Sequence, residues 1–312
     1  MRAAAIDLGT NTIRLLIGES DGAGGYRPVL AAQEITRLGE GLLPERRLQP
    51  EPMRRSLVVL GRFREMAAAQ GAAAVAAVGT SALREATNRE AFLDRARREA
   101  GQEVHVISGV EEARLTLLGV RNALGDPPDL LLMLDIGGGS SELLLAQGPQ
   151  ILAAVSTGLG AVKLTETHLK GDPPLAAELA AVRAAVSARM ALVRGRDLPG
   201  LTAGEVLVGT AGTVTTLAAI DLSLDPYEPA RVTGHRLSRG RVADLLQELA
   251  RLPLQERRRV PGLEPGRADV IVAGAIVCLG AMEDLGFASL TVSDGGLREG
   301  ILLDLLASTR II

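Results

Sequence analysis

The chain has 312 residues, twice the roughly 150 expected of one domain, so two domains are the first expectation. Its 47% hydrophobic and 23% charged residues exclude a disordered or fibrous chain, and with no Trp, two Tyr and three Phe the core has to be built from Ala, Val, Leu and Ile. A net charge of −3 leaves no basic field for nucleic acid or anionic lipid, and the scarcity of aromatics argues against a single-strand binder.

The first apolar run, Ala3 to Leu8, ends in Asp7-Leu8-Gly9-Thr10-Asn11-Thr12, and Ile13 to Gly18 resumes it. This predicts strand, tight turn and returning strand, with a third strand from Tyr26 to Thr36 after a Gly-rich turn. Pro50 to Gln70 has helical spacing, with Met53, Leu57, Leu60, Phe63 and Met66 on one side. A buried strand is expected at Ala73 to Val78, a charged helix at Asn88 to Ala100 and a strand at Val104 to Ile107. Ser108 reads as the N-cap of a helix reaching about Arg121, with Glu111 and Glu112 in its first turn.

Beyond the break at Gly125 to Asp129, the strand Leu130 to Leu134 runs into Asp135-Ile136-Gly137-Gly138-Gly139-Ser140, and Glu142 to Ala146 returns. The design at Asp7 is thereby repeated, which reads as duplication of one structural unit. A strand at Ile151 to Ser156 and helices at Ala161 to His168 and Ala176 to Arg194 follow. Val206 to Val208 is a short strand meeting Gly209-Thr210-Ala211-Gly212-Thr213 and a helix. Helices are expected at Arg239 to Arg251 and Arg267 to Asp284, then a strand at Ser289 to Val292 and a last helix from Leu297 to about Ala307. Hairpins mixed with crossover helices predict an α/β protein with a mixed sheet in each half.

Several chemistries are excluded on composition. Lysine occurs only at Lys163 and Lys170, and no G-x-x-x-x-G-K-[ST] motif exists, so a Walker-type NTPase is out. The single Cys278 lies in an apolar run and reads as a buried, inert thiol, and His105, His168 and His235 lack the spacing of a zinc site. The N-terminus meets an acid at Asp7, too early for a signal-peptide core. The apolar run Val270 to Met282 falls short of the roughly 20 residues that span a bilayer. A cytoplasmic protein without a membrane partner is expected.

Two Asp-then-Gly turns at equivalent places carry chemical meaning together. Such a turn presents several backbone N–H groups to one side, which suits an anion, and glycine lets phosphate oxygens approach. The Asp before each turn repels phosphate but can hold a divalent cation that bridges to it. The plainer alternative is a pair of tight hairpin turns.

The segments Ala4 to Ile17 and Asp135 to Leu143 resemble the exopolyphosphatase / guanosine pentaphosphate phosphohydrolase (Ppx/GppA) family. Gly79 to Arg84, Ile107 to Leu115, Gly209 to Thr213, Arg267 to Ile271 and Ser293 to Gly300 match in the same order, so the resemblance covers almost the whole chain. Thr10 and Ser141 stand where Ser and Thr are common and keep a hydroxyl; Val110 stands where a polar residue is common. The resemblance implies the actin-like ATPase fold, two ribonuclease-H-like domains with mixed sheets flanking a cleft. These would comprise residues 1–124, completed by a terminal helix at 297–312, and residues 125–296.

The resemblance also implies roles. Asp7 and Asp135 would hold Mg²⁺, while Gly9, Thr10 and Asn11 from one half and Gly137, Gly138, Gly139 and Ser140 from the other would cradle phosphates. Glu112 would be the general base that deprotonates the attacking water, Glu142 a supporting carboxylate, and Arg84 a clamp on phosphate oxygens, where a guanidinium fork fits best. Phosphates beside Glu112 would raise its proton affinity. Glu111 stays a first-turn acid favoured by the helix dipole, and Asp294 is either a third acid of the site or a turn residue. The Arg257-Arg258-Arg259 run is either a solvated helix face or a track for a polyanion. The implied function is Mg²⁺-dependent removal of terminal phosphates from inorganic polyphosphate or from guanosine pentaphosphate, with a homodimer left open. A phosphotransferase on the same fold and a nucleotide-regulated sensor are the competing readings.

Overall fold

Six of the seven residues of the first strand, β1 (Arg2–Leu8), are buried, which is what a strand covered on both faces requires. The computed structural model describes residues 1–125, 127–198, 200–201 and 205–308. The chain divides into two units: one is Met1–Asn122 with the chain from Gly295 onward, the other Ala123–Asp294.

In the first unit β1 pairs antiparallel with β2 (Thr12–Ser20), and β2 with β3 (Tyr26–Ile35). On its other side β1 is parallel to β4 (Ala74–Gly79), and β4 to β5 (His105–Val106), so the strand order is 3-2-1-4-5. Alternate residues of β1 feed two cores. Ala4, Ile6 and Leu8 pack with Leu60 and Phe63 of α1 (Pro50–Ala69). Ala3 and Ala5 pack with Leu115 and with Ile301 and Leu302 of the C-terminal helix (Leu297–Ser308). The stripe expected on α1 is the buried one, apart from Met66, which is partly buried. A short helix not foreseen, α2 (Ser81–Glu85), follows β4, then α3 (Arg89–Glu99) and α4 (Gly109–Leu124). The C-terminal helix approaches α4 so closely that a Cβ on Gly300 would lie 1.8 Å from the Leu115 carbonyl oxygen.

The second unit repeats the plan. β6 (Leu130–Ile136) pairs antiparallel with β7 (Ser141–Gln147), and β7 with β8 (Gln150–Thr157). Helices α5 (Ala161–His168) and α6 (Ala176–Leu192) lead on; α6 ends in a wider π turn over Val193–Asp197 instead of running straight to Arg194. β9 (Val206–Thr210) joins β6 in parallel and is followed by α7 (Ala211–Asp221) and α8 (Pro229–Val232). β10 (Arg236–Ser238), α9 (Arg239–Arg251), α10 (Leu254–Arg257) and α11 (Ile271–Leu285) precede β11 (Ser289–Val292), and the C-terminal helix is α12. β11 is parallel to β9, and β10 adds an antiparallel outer edge too short to be read from sequence.

Apart from β10, this is again 3-2-1-4-5 with three antiparallel strands and two parallel additions, the ribonuclease-H-like arrangement. Two such units in one chain make the actin-like ATPase fold. The longest apolar run becomes α11, 12 of whose 15 residues are buried against neighbouring helices. It starts at Ile271 and not at Arg267, because Pro265–Arg267 form a separate tight turn. No helix among the described residues is long and apolar enough to cross a membrane.

Candidate active site

At the end of β1 the Gly9 N–H donates to the Thr12 carbonyl at 3.1 Å and closes the turn expected there. A second loop braces it: the Thr36 and Arg37 N–H groups donate to the Asn11 carbonyl at 3.1 and 2.9 Å, and the Gly39 N–H donates to that of Thr10 at 2.9 Å. The Thr10 and Thr12 hydroxyls and both amide atoms of Asn11 are buried and meet no hydrogen-bond partner among the described residues. Such atoms are costly unless a ligand bonds them, and three adjacent residues share the condition.

The same sheet edge gathers Arg84 and Glu112. Thr80 donates its N–H to the Leu8 carbonyl at 3.3 Å, and Ile107 donates its own to that of Gly79 at 3.1 Å, so β1, β4 and β5 end side by side. Ser108 caps α4 as expected, its Oγ accepting the Glu111 N–H at 3.1 Å. Glu112 in the first turn is 8% exposed. Arg84 Nη1 donates to Glu112 Oε2 at 2.8 Å and to the Ile107 carbonyl at 3.1 Å. Glu111 instead takes a two-pronged bond from Arg114 at 2.8 and 2.9 Å, which holds its carboxyl below the usual range. The adjacent acids thus have different partners.

In the second unit the Gly137 N–H donates to the Ser140 carbonyl at 3.0 Å, the counterpart of the Gly9 bond. In both turns a Cβ on the glycine would stand 3.0 Å from the accepting oxygen. The α5 amides of Ala161 and Val162 donate to the Gly137 and Gly138 carbonyls at 3.0 and 2.9 Å. Gly160 fits there only without a side chain, since its Cβ would lie 2.2 Å from the Gly138 carbonyl oxygen. Asp135 faces Glu142 across the β6–β7 ladder and Thr210 across β6–β9. In the first unit the ladder partner of Asp7 is Arg14, so the duplication is broken at this point.

Glu142 is 1% exposed and accepts hydroxyl hydrogen bonds from Ser140 at 2.8 Å and Ser156 at 2.6 Å, both on Oε1. The hydroxyl of Ser140, expected on phosphate, is directed at Glu142. Ser156 was not foreseen, because a lone serine on a strand gives no signal. Asp294 accepts from the Tyr227 hydroxyl and donates its own N–H to Thr233 Oγ1 at 3.1 Å, which fits its turn reading.

The remaining candidates resolve by burial. Arg257 is 3% exposed and donates to the carbonyls of Leu249, Leu252 and Ala268, so it is neither a solvated face nor part of a polyanion track. Arg258 and Arg259 are exposed. Burial pushes the Cys278 thiol up to about 12, leaving it the inert group expected. No cluster of three or more His, Cys, Asp or Glu that could hold a metal occurs among the described residues.

Two ribonuclease-H-like units, each with an Asp-Gly turn at the end of its first strand, define a protein of the actin-like ATPase fold class. The Ppx/GppA phosphatase family matches residues 17–309. Exopolyphosphatase 2 of Mycobacterium tuberculosis is 35% identical over 97% of this chain and 98% of its own length. Guanosine-5'-triphosphate,3'-diphosphate pyrophosphatase of Photobacterium profundum is 33% identical over 98% of this chain, which spans 60% of that protein. Among solved structures, an exopolyphosphatase from Cytophaga hutchinsonii superposes with a TM-score of 0.89 at 27% identity, covering 99% of this chain and 98% of the other. The Ppx/GppA family member of Aquifex aeolicus gives 0.83 at 33% identity, with the same coverage. The chain belongs to the Ppx/GppA phosphatase family.

Proposed function

We propose that this phosphoanhydride hydrolase removes terminal phosphates from inorganic polyphosphate, with Glu112 as general base. The observation that carries the reading is the buried Glu112 carboxylate held at 2.8 Å by Arg84. The guanidinium holds one carboxylate oxygen in place, and an ionised carboxylate is the form of the side chain that accepts a proton. Water attacks the terminal phosphorus and gives its proton to Glu112; the bond from phosphorus to the bridging oxygen breaks, and the shortened chain leaves. Little covalent help from the protein is needed, so positioning and charge stabilisation carry the reaction. The amides of each Gly turn and the unpaired polar atoms of Thr10, Asn11 and Thr12 suit phosphate oxygens.

Asp7 and Asp135 are the carboxylates that would hold Mg²⁺, which spreads the charge developing on phosphoryl oxygens when bound. Each stands at the end of its strand and offers the hard carboxylate oxygens that such an ion takes. Mg²⁺ is commonly held by one or two carboxylates together with substrate phosphates.

Near-complete mutual coverage with exopolyphosphatase 2 supports polyphosphate as substrate. The likeness to a guanosine-5'-triphosphate,3'-diphosphate pyrophosphatase over nearly the whole of this chain supports guanosine pentaphosphate as a second. The test is phosphate release from both substrates with Mg²⁺, for wild type and Glu112→Gln. Release that the substitution abolishes is expected, and the rate ratio names the preferred substrate. Release indifferent to the substitution would move the base elsewhere, and no release from either would sink the reading.

A further inference from the structure

We propose that Ser156 is a positioning residue for Glu142, and that the Ser140 hydroxyl serves this same carboxylate and not phosphate. The inference rests on the reading that Glu142 supports hydrolysis. Ser156 lies directly opposite Glu142 in the β7–β8 ladder, so both side chains rise from one face of the sheet. Ser140 stands two residues before Glu142, at the end of the Gly-rich turn, and its hydroxyl meets the same Oε1. A carboxylate only accepts, and a serine hydroxyl has one proton to give. Each serine has therefore committed its proton to Glu142. Ser140 turns only oxygen lone pairs to anything beyond, and those attract a cation and repel a phosphate oxygen.

Two charge-assisted bonds on one oxygen fix the carboxylate plane, and a group with several rotatable bonds gains a single orientation. The partners come from different places. One is set by the turn and the other by strand register, so Glu142 is held between the phosphate-facing turn and the body of the sheet. Ser156 itself is exposed, whereas Glu142 is almost wholly buried. Removing its hydroxyl therefore disturbs the carboxylate without opening the core, and there is room for the extra methyl of threonine.

The experiment is steady-state phosphate release from long-chain polyphosphate, with thermal melting alongside, for Ser156→Ala, Ser156→Thr, Ser140→Ala and Glu142→Gln. Ser156→Ala should lower kcat about tenfold, the loss typical of one hydrogen bond to a charged group, with KM and Tm nearly unchanged. Ser156→Thr should restore most of kcat, and Ser140→Ala should follow Ser156→Ala in lowering kcat. A Ser140→Ala variant that raises KM and keeps kcat would return its hydroxyl to phosphate and overturn that half of the proposal. An inactive Glu142→Gln beside a fully active Ser156→Ala would overturn the positioning role alone. A fully active Glu142→Gln would instead remove the reading of Glu142, and the proposal with it.

Discussion

Arg84 and Glu112, 28 residues apart in sequence, meet at 2.8 Å because the strands preceding them end side by side. Arg84 also holds the Ile107 carbonyl at the entry to α4, so it ties the carboxylate to the start of that helix. Arg84→Ala should lower kcat at least about tenfold, and Arg84→Lys should recover only part, because a point charge lacks the fixed geometry of guanidinium. Steady-state kinetics on polyphosphate check this. Wild-type rates in Arg84→Ala would show that Glu112 needs no such partner.

Gly158 and Gly160, two positions apart, should respond oppositely to the same change. A Cβ at Gly160 would stand 2.2 Å from the Gly138 carbonyl oxygen, against backbone that cannot swing aside, whereas at Gly158 the nearest atom is Lys163 Nζ at 3.8 Å. Gly160→Ala should cost about 2–3 kcal/mol and displace the turn from Gly137 to Ser140, while Gly158→Ala stays within about 0.5 kcal/mol. Chemical denaturation of the two variants measures the difference. Equal stabilities would refute the close approach.

Arg257 should behave as a core residue and its neighbours as surface. Losing its guanidinium leaves the Leu249, Leu252 and Ala268 carbonyls without that donor, so Arg257→Ala should destabilise by at least about 2 kcal/mol. Arg258→Ala and Arg259→Ala should change stability by less than about 0.5 kcal/mol. With Arg257 committed to the fold, Arg258 and Arg259 are the exposed arginines left in that run. Charge reversal at both should leave chain-length preference unchanged if they are merely solvated; a shift towards shorter chains would revive the track.

Arg114 ties α4 to α12 through Glu111 and Asp304, at 2.8 and 2.9 Å. Its hydrogen bond is the main reason the Glu111 carboxyl is held low, so the folded state binds that proton less readily than the unfolded chain. The resulting stability is present at neutral pH and is lost as pH falls through the lowered folded-state value. The side chains are 41%, 41% and 44% exposed, so Arg114→Ala should cost no more than about 1 kcal/mol at pH 7. Urea midpoints of wild type and variant should differ at about pH 7 and converge only as pH falls through the lowered folded-state value. A gap that persists in acid would assign the effect to packing of the arginine stem.

Much of the molecule was legible along the chain. Residue pattern alone was enough for β1, the hairpin turns at Gly9 and Gly137, the stripe on α1, the Ser108 cap and the duplication. Each depends on local chemistry: apolar periodicity, a glycine where backbone must pass close to oxygen, or a hydroxyl at a helix start. Packing in three dimensions settled that Arg84 takes Glu112 while Arg114 takes Glu111, that Asp135 faces Glu142 where Asp7 faces Arg14, and that the Ser156 hydroxyl reaches Glu142. It also buried Arg257 out of a run that reads as uniformly solvated. Those outcomes depend on strand register and on which helix lies beside which. They are set by how strands and helices align in space, which local residue patterns do not encode.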